Sequence, residues 1–119
     1  MQSRMDIAVF GLGSPFAGVP SQVYVGGYLD DVDYRSLGAD GVVGDVATVF
    51  YRVDGSYRDV ALNARATGPD FDVLRRVARR VCVVAGEQKL ASLQGALAAG
   101  IVTDVVLDEG LARELLASV

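Results

Sequence analysis

The strongest constraint on this chain of 119 residues is a pair of short apolar runs near its end, each followed by a helical pattern. Val81-Cys82-Val83-Val84-Ala85 has no polar alternation, as expected of a parallel strand covered on both faces. Gly86 ends it; a helix opening at Lys89 carries Leu90, Leu93 and Leu97 as an apolar stripe, and Gly100 closes it. Ile101 to Leu107 supplies a second buried run, and Asp108 caps a last helix carrying Leu111, Leu115 and Leu116. The order strand, helix, strand, helix predicts parallel strands joined by a right-handed crossover.

Upstream, Asp6 to Phe10 predicts a buried strand running into the turn Gly11-Leu12-Gly13-Ser14-Pro15. Residues 14 to 22 form a loop pattern, and 22 to 28 are ambiguous. Asp30, Asp31 or Asp33 caps a short helix that places Val32 and Leu37 on one side, with Gly38 and Gly41 as stop signals. Gly41 to Val53 reads as one long strand, turning at Asp54-Gly55 and returning through Tyr57 to Leu62. After a connector from Asn63 to Gly68, a helix starts near Pro69-Asp70, with Phe71, Leu74 and Val77 inward and arginines 75, 76, 79 and 80 on its outer face and last turn. The expected fold is α/β, a Rossmann-like parallel sheet interrupted by an antiparallel β-hairpin. No repeat, low-complexity tract or linker divides the chain.

Composition removes several classes of function. A 51% hydrophobic content excludes intrinsic disorder. No apolar run approaches the ~18 residues of a membrane span, and Ile7 to Phe10 is too short for a signal-peptide core. A net charge of −4 argues against binding a phosphate backbone. Without histidine there are no His-based metal sites, general bases or Ser-His-Asp triads. Cys82, the single cysteine, reads as a small buried hydrophobe, and a chain without a disulfide suits a reducing, cytoplasmic setting. No metal or cofactor is expected.

Ligands of open α/β sheets sit beyond the carboxyl ends of the parallel strands, where three turns meet: Gly11-Leu12-Gly13-Ser14, Gly86-Glu87-Gln88-Lys89 and Asp108-Glu109. Gly11-x-Gly13 lacks the third glycine of a dinucleotide fingerprint, where Phe16 stands, but a glycine turn still exposes N–H groups suited to phosphate or carboxylate oxygens. The Gly86 turn opens a helix and brings Lys89, the only lysine beside ten arginines, which makes a candidate anion site; a solvated lysine at a helix start is the plainer alternative. Asp45 places a carboxylate within an apolar strand, either to bind a hydroxyl or accept a proton, or simply as a strand-edge residue. Arg65 could grip a phosphate bidentately or be an ordinary surface arginine. Arg75-Arg76 and Arg79-Arg80 fit a solvated helix face better than a nucleic-acid site, since no aromatic platform accompanies them.

Taken in order, Val42-Val43-Gly44-Asp45-Val46 to Phe50, Asp54-Gly55, Asn63-x-Arg65, Leu74-Arg75-Arg76-Val77, Val83-Val84-Ala85-Gly86-x-x-Lys89, Ala96-Leu97 with Gly100, and Val105 to Glu109 resemble one pattern. It is the effector-binding domain of the sorbitol-operon and deoxyribonucleoside-type bacterial transcriptional regulators, the SorC family. Ile7 to Ser14 looks like the same domain's preceding strand and turn. The resemblance implies a sugar-isomerase-like fold, similar to ribose-5-phosphate isomerase and glucosamine-6-phosphate deaminase. It implies a phosphorylated sugar or related carbohydrate as effector, assembly as a dimer or tetramer, and DNA contact only through a helix-turn-helix absent from this sequence. On the matching positions, Lys89 and the Gly86 turn look like anion contacts and Asp45 like a sugar-hydroxyl contact. Gly11, Gly13 and Ser14 look like lining, with Arg65 a further contact.

The family's helix-turn-helix and the first half of its effector domain, with a Gly/Thr phosphate loop, have no counterpart here. Residues 1 to 119 are therefore expected to form a single unit, the C-terminal part of a sugar-binding domain. Sensing without catalysis is the expected function. The alternative is an isomerase or deaminase on the same fold using Asp45 and Lys89, which would lack a second acid beside Asp45 and any histidine.

Overall fold

A computed structural model describes residues 6–14, 31–46, 49–65 and 71–118, without the side chains of Asp31, Tyr34, Ala64 and Arg65. The loop expected over 14–22 apart from Ser14, the ambiguous stretch to Tyr28 and the helix start at Pro69-Asp70 lie outside the described residues. Three strands, β1 (Ile7–Phe10), β4 (Arg79–Val84) and β5 (Asp104–Leu107), form a parallel sheet in the order β1-β4-β5. Two more, β2 (Val42–Val46) and β3 (Val49–Arg52), form an antiparallel pair. Among the described residues four helices accompany them: α1 (Asp31–Ala39), α2 (Phe71–Arg75), α3 (Leu90–Ala98) and α4 (Glu109–Ala117), with 3₁₀ turns at Ala61–Arg65 and Glu87–Lys89. The parallel sheet with an antiparallel hairpin is the architecture the sequence predicts.

The unit β4–α3–β5–α4 follows from local pattern. Asp108 is extended at the N-terminus of α4 and its Oδ1 accepts from the Leu111 N–H at 3.0 Å, so the predicted cap is present. The buried face of α3 differs from the leucine stripe. Ser92, Leu93, Gly95 and Ala96 are buried, whereas Leu97 is exposed and Leu90 only half-buried. Small residues let α3 lie directly on the hairpin: a Cβ on Gly95 would come within 2.6 Å of the Arg52 carbonyl oxygen and 2.8 Å of the Tyr51 ring.

The hairpin itself is displaced from its expected place. Strand β2 ends at Val46, and β3 runs back against it from Val49, so the chain reverses before Asp54-Gly55. Asp54-Gly55 makes a second, tight turn, closed by Gly55 N–H to Arg52 O and Arg52 N–H to Ser56 O, both 2.9 Å. Tyr57 to Leu62 forms no strand. The Asn63 amide takes its place beside β3: Nδ2 donates to the Phe50 and Tyr57 carbonyls (2.8 and 2.7 Å), and Oδ1 accepts from the Phe50 N–H (2.6 Å).

Two further expectations fail for non-local reasons. The helix from Phe71 stops at Arg75, because Arg79 and Arg80 pair with Ile7 and Ala8 as the start of β4. Arg75 instead turns its guanidinium to the C-terminal end of α3, donating twice to the Ala99 carbonyl (3.0 and 2.6 Å). In α1, Leu37 is fully buried but Val32 is exposed, so they do not share a buried side.

The main core gathers Leu12, Val46, Tyr51, Phe71, Cys82, Val84, Leu93, Ile101 and Leu111; a smaller one holds Leu37, Val42, Phe50, Val60 and Leu62. The parallel sheet is covered on one face only among the described residues. Cys82 and Val84 point into the main core, while Val83, Val106, Val9 and Ile7 are exposed on the opposite face. Among the described residues the run Val81 to Ala85 therefore has one face covered, whereas its apolar continuity predicts two.

Candidate functional site

Strand β1 ends at the turn Gly11-Leu12-Gly13-Ser14, and this turn is clasped from two sides. Gly13 and Asp45 form an antiparallel bridge with two backbone hydrogen bonds (3.0 and 3.2 Å), which ties the end of β1 to β2. The pairing of β2 with β3 is irregular between Val42 and Gly44, a local departure of the kind that re-aims neighbouring side chains. Asp45 is buried within that irregular strand, and Ser14 is buried beside the bridge.

From the other side come the start of α3 and the turn before it. Lys89 Nζ donates to the Leu12 carbonyl at 2.7 Å. Ser92 Oγ donates to the Gly13 carbonyl at 2.8 Å. Tyr51, fully buried in β3, places its hydroxyl 2.8 Å from both the carbonyl and the hydroxyl oxygen of Ser92. Burial pushes the Tyr51 phenol well above its ordinary pKa, with the Ser92 hydrogen bond opposing the shift and the Asp45 charge reinforcing it. The cluster needs a glycine at 44, where a Cβ would lie 2.1 Å from Ser92 Oγ and 2.8 Å from the Gly13 carbonyl oxygen.

The Gly86 turn stands next to this cluster through the 3₁₀ segment Glu87–Lys89. Gly86 has φ 103, a conformation that favours glycine. Its N–H donates to Asp108 Oδ2 at 3.1 Å, so Asp108 caps α4 and holds the β4–α3 turn at once.

Of the residues singled out in the sequence, Gly11, Gly13, Ser14, Asp45 and Lys89 thus gather at the carboxyl end of β1, with Gly86 one short turn away. Arg65 is described through its backbone alone. Its segment, Ala61–Arg65, carries Leu62 into the smaller core, and the Arg65 side chain lies outside the described residues. Sequence reasoning missed Tyr51, Ser92 and Gly44. The available signal was the small-residue spacing Ser92, Gly95, Ala96, Ala99, which marks the face of α3 that approaches another backbone.

Among the described residues this arrangement offers one cation, a buried carboxylate and hydroxyls, grouped around a glycine turn at the carboxyl edge of the sheet. Such a set suits a small polar ligand carrying hydroxyls and an anionic group. Among the described residues, no group of three or more acidic, histidine or cysteine side chains could hold a metal ion, and no helix is long and apolar enough to cross a membrane.

A family model described as "Putative sugar-binding domain" matches residues 1–117. A solved domain "of a possible sugar-binding transcriptional regulator" from Arthrobacter aurescens superposes with a TM-score of 0.87 at 56% identity, over 97% of this chain and 43% of that one. The full-length sorbitol operon regulator SorC of Klebsiella pneumoniae superposes with a TM-score of 0.83 at 25% identity, over 97% of this chain and 37% of that one. The deoxyribonucleoside regulator of Bacillus subtilis is 27% identical over 115 residues, 97% of this chain and 36% of the regulator. The chain spans well under half the length of each of these relatives.

Proposed function

The chain belongs to the sugar-binding domain family of the SorC- and DeoR-type transcriptional regulators, and from that premise we propose that it senses a phosphorylated sugar for such a regulator and catalyses nothing. The observation that carries this reading is Lys89, whose ammonium reaches the Gly11–Ser14 turn at the Leu12 carbonyl. A bound phosphate would compete with that carbonyl for Lys89. Sugar hydroxyls would meet Asp45 and Ser14, both buried beside the turn. Gly11, Gly13 and Gly86 would line the site. In a larger assembled regulator, a dimer or tetramer in the cytoplasm, a sugar that binds one state better than another would shift the protein's affinity for DNA.

An enzyme reading is less well supported. Proton transfer between carbons of a sugar needs a positioned base and a partner to shuttle the proton. Lys89 Nζ is engaged by the Leu12 carbonyl, and histidine is absent from the sequence.

The test is thermal denaturation against a panel of sugar phosphates and their unphosphorylated parents, with this chain and with an intact regulator that carries it. One phosphorylated sugar should raise Tm, by the equivalent of about 2.7 kcal/mol at a hundredfold excess over Kd. The parent sugar should do much less. Lys89→Ala should abolish the shift while lowering the ligand-free stability by only about 1 kcal/mol. If no sugar phosphate shifts Tm in either protein, the reading is wrong; turnover of a sugar phosphate by the purified chain would replace it with the enzyme.

A further inference from the structure

Two buried hydroxyls, those of Ser92 and Tyr51, stand behind the Gly11–Ser14 turn, and a count of protons fixes the direction of their hydrogen bonds. The Gly13 carbonyl can only accept, so the single Ser92 hydroxyl proton goes to it, at 2.8 Å. The Tyr51 hydroxyl, 2.8 Å from both the hydroxyl and the carbonyl oxygen of Ser92, is then the donor to Ser92. Tyr51 thus holds Ser92, and Ser92 holds Gly13.

Backbone geometry carries that hold to the far side of the turn. Gly13 forms an antiparallel bridge with Asp45, so its N–H and its carbonyl both face β2, at 3.0 and 3.2 Å. In an extended chain the flanking groups, the Leu12 carbonyl and the Ser14 N–H, face the opposite edge. The Leu12 carbonyl meets Lys89 Nζ there, at 2.7 Å. The peptide between Gly13 and Ser14 is trans, so the Ser14 N–H runs antiparallel to the carbonyl that Ser92 holds. A hydrogen bond on one side of this peptide therefore aims a donor on the other. Of the two bonds on the Gly13 carbonyl, the one from Ser92 is the shorter, 2.8 Å against 3.2 Å from the Asp45 N–H.

We propose that Ser92, held by Tyr51, is a positioning residue of the ligand site: it keeps the Gly13 carbonyl turned toward β2 and so the Ser14 N–H turned toward Lys89, and these two donate together to the anionic group of the ligand. The inference rests on the reading of Lys89 as an anion contact. It adds to that mobile ammonium a backbone donor of fixed direction, of the kind that suits phosphate oxygens.

The experiment titrates the isotope-labelled full chain with inorganic phosphate at constant ionic strength and follows its amide resonances by NMR. In the parent chain the Ser14 and Lys89 amides should shift together and saturate with one Kd, and Lys89→Ala should abolish the saturation. Ser92→Ala should move the Ser14 resonance before any phosphate is added and raise Kd by about fivefold or more. Tyr51→Phe, which keeps the buried ring, should act in the same direction. Because Tyr51 acts through Ser92, adding Tyr51→Phe to Ser92→Ala should raise Kd no further, a coupling that two independent losses of stability would not produce. Circular dichroism checks that each variant is folded, and Tyr51→Phe carries the test if Ser92→Ala is not. Lys89-dependent binding that leaves the Ser14 amide unmoved, or that Ser92→Ala and Tyr51→Phe do not weaken, overturns the proposal and spares the reading of Lys89. The absence of any saturable, Lys89-dependent response overturns both.

Discussion

Gly44 is the residue at which the candidate site and the core meet. The space a Cβ would need is already filled by Ser92 Oγ, the Tyr51 hydroxyl and the Gly13 carbonyl. Ser92 and Tyr51 are side chains, but both are buried and hydrogen-bonded to one another, so neither can swing away without breaking the clasp. Gly44→Ala is therefore expected to destabilise the protein by roughly 2–3 kcal/mol, an overpacking cost read as a lower urea midpoint with the slope retained. It should also weaken ligand binding by displacing Gly13. An alanine variant with unchanged stability would mean that β2 shifts freely against α3. None of this is visible in the sequence as function. Lys89, Gly86 and Asp45 stand out because their residue types are unusual for their local positions. Ser92 and Tyr51 are ordinary residues whose role exists only through partners 41 positions apart.

Among the elements, those built from neighbours in sequence were legible and those built from distant pairings were not. The β4–α3–β5–α4 unit follows from apolar runs, glycine stops and the Asp108 cap, all within a few residues of what they control. The segment after β3 is different. Its apolar residues, Tyr57, Val60 and Leu62, satisfy a strand pattern, yet Asn63 occupies the hydrogen-bonding positions of Phe50 that a returning strand would use. One amide thus replaces a ladder, and the apolar residues pack as a loop into the two cores. Asn63→Ala removes three hydrogen bonds and is expected to cost about 2–3 kcal/mol. The loss should be local at first. Hydrogen exchange should accelerate at Phe50 and over 57–63, while β4 and β5 remain protected. Uniform acceleration across the chain would show that the segment unfolds only with the whole. Arg79 and Arg80 teach the same lesson: helical by local pattern, they are strand because β1 and Thr103 offer partners, Arg80 N–H donating to Thr103 Oγ1 at 2.7 Å.

At the scale of the whole molecule, the titrating groups define a window of pH in which the fold is most stable. On the acid side stand Asp54, Asp59, Asp72 and Asp104. Hydrogen bonds from Ser56, Arg52, Arg58 and Thr103, respectively, hold their carboxyls below the ordinary 3.8. A depressed carboxyl stabilises the folded state above its unfolded pKa, and the contribution disappears as pH falls through the folded value. Three of the four lie around the segment between β3 and α2, where Asp72 bridges Arg58 and Arg75, each at 3.0 Å. Acid should therefore loosen that segment first. Because the pairs are exposed, about 1 M salt should flatten the acid limb. On the alkaline side the sign reverses. Burial pushes the Cys82 thiol up to about 11 from 9.0 and raises the Tyr51 phenol as well. An unfolded chain releases the thiol proton near 9 while the folded chain keeps it, so stability is full below that pH and declines from about 9 to about 11. Urea denaturation followed across this range should give a plateau at about pH 5–8 with a fall on either side. Cys82→Ala, although less stable overall, should show a shallower decline between 9 and 11, with the remaining slope assigned to Tyr51. A parent protein whose stability rises above pH 9 would contradict the buried, protonated thiol at the centre of the sheet.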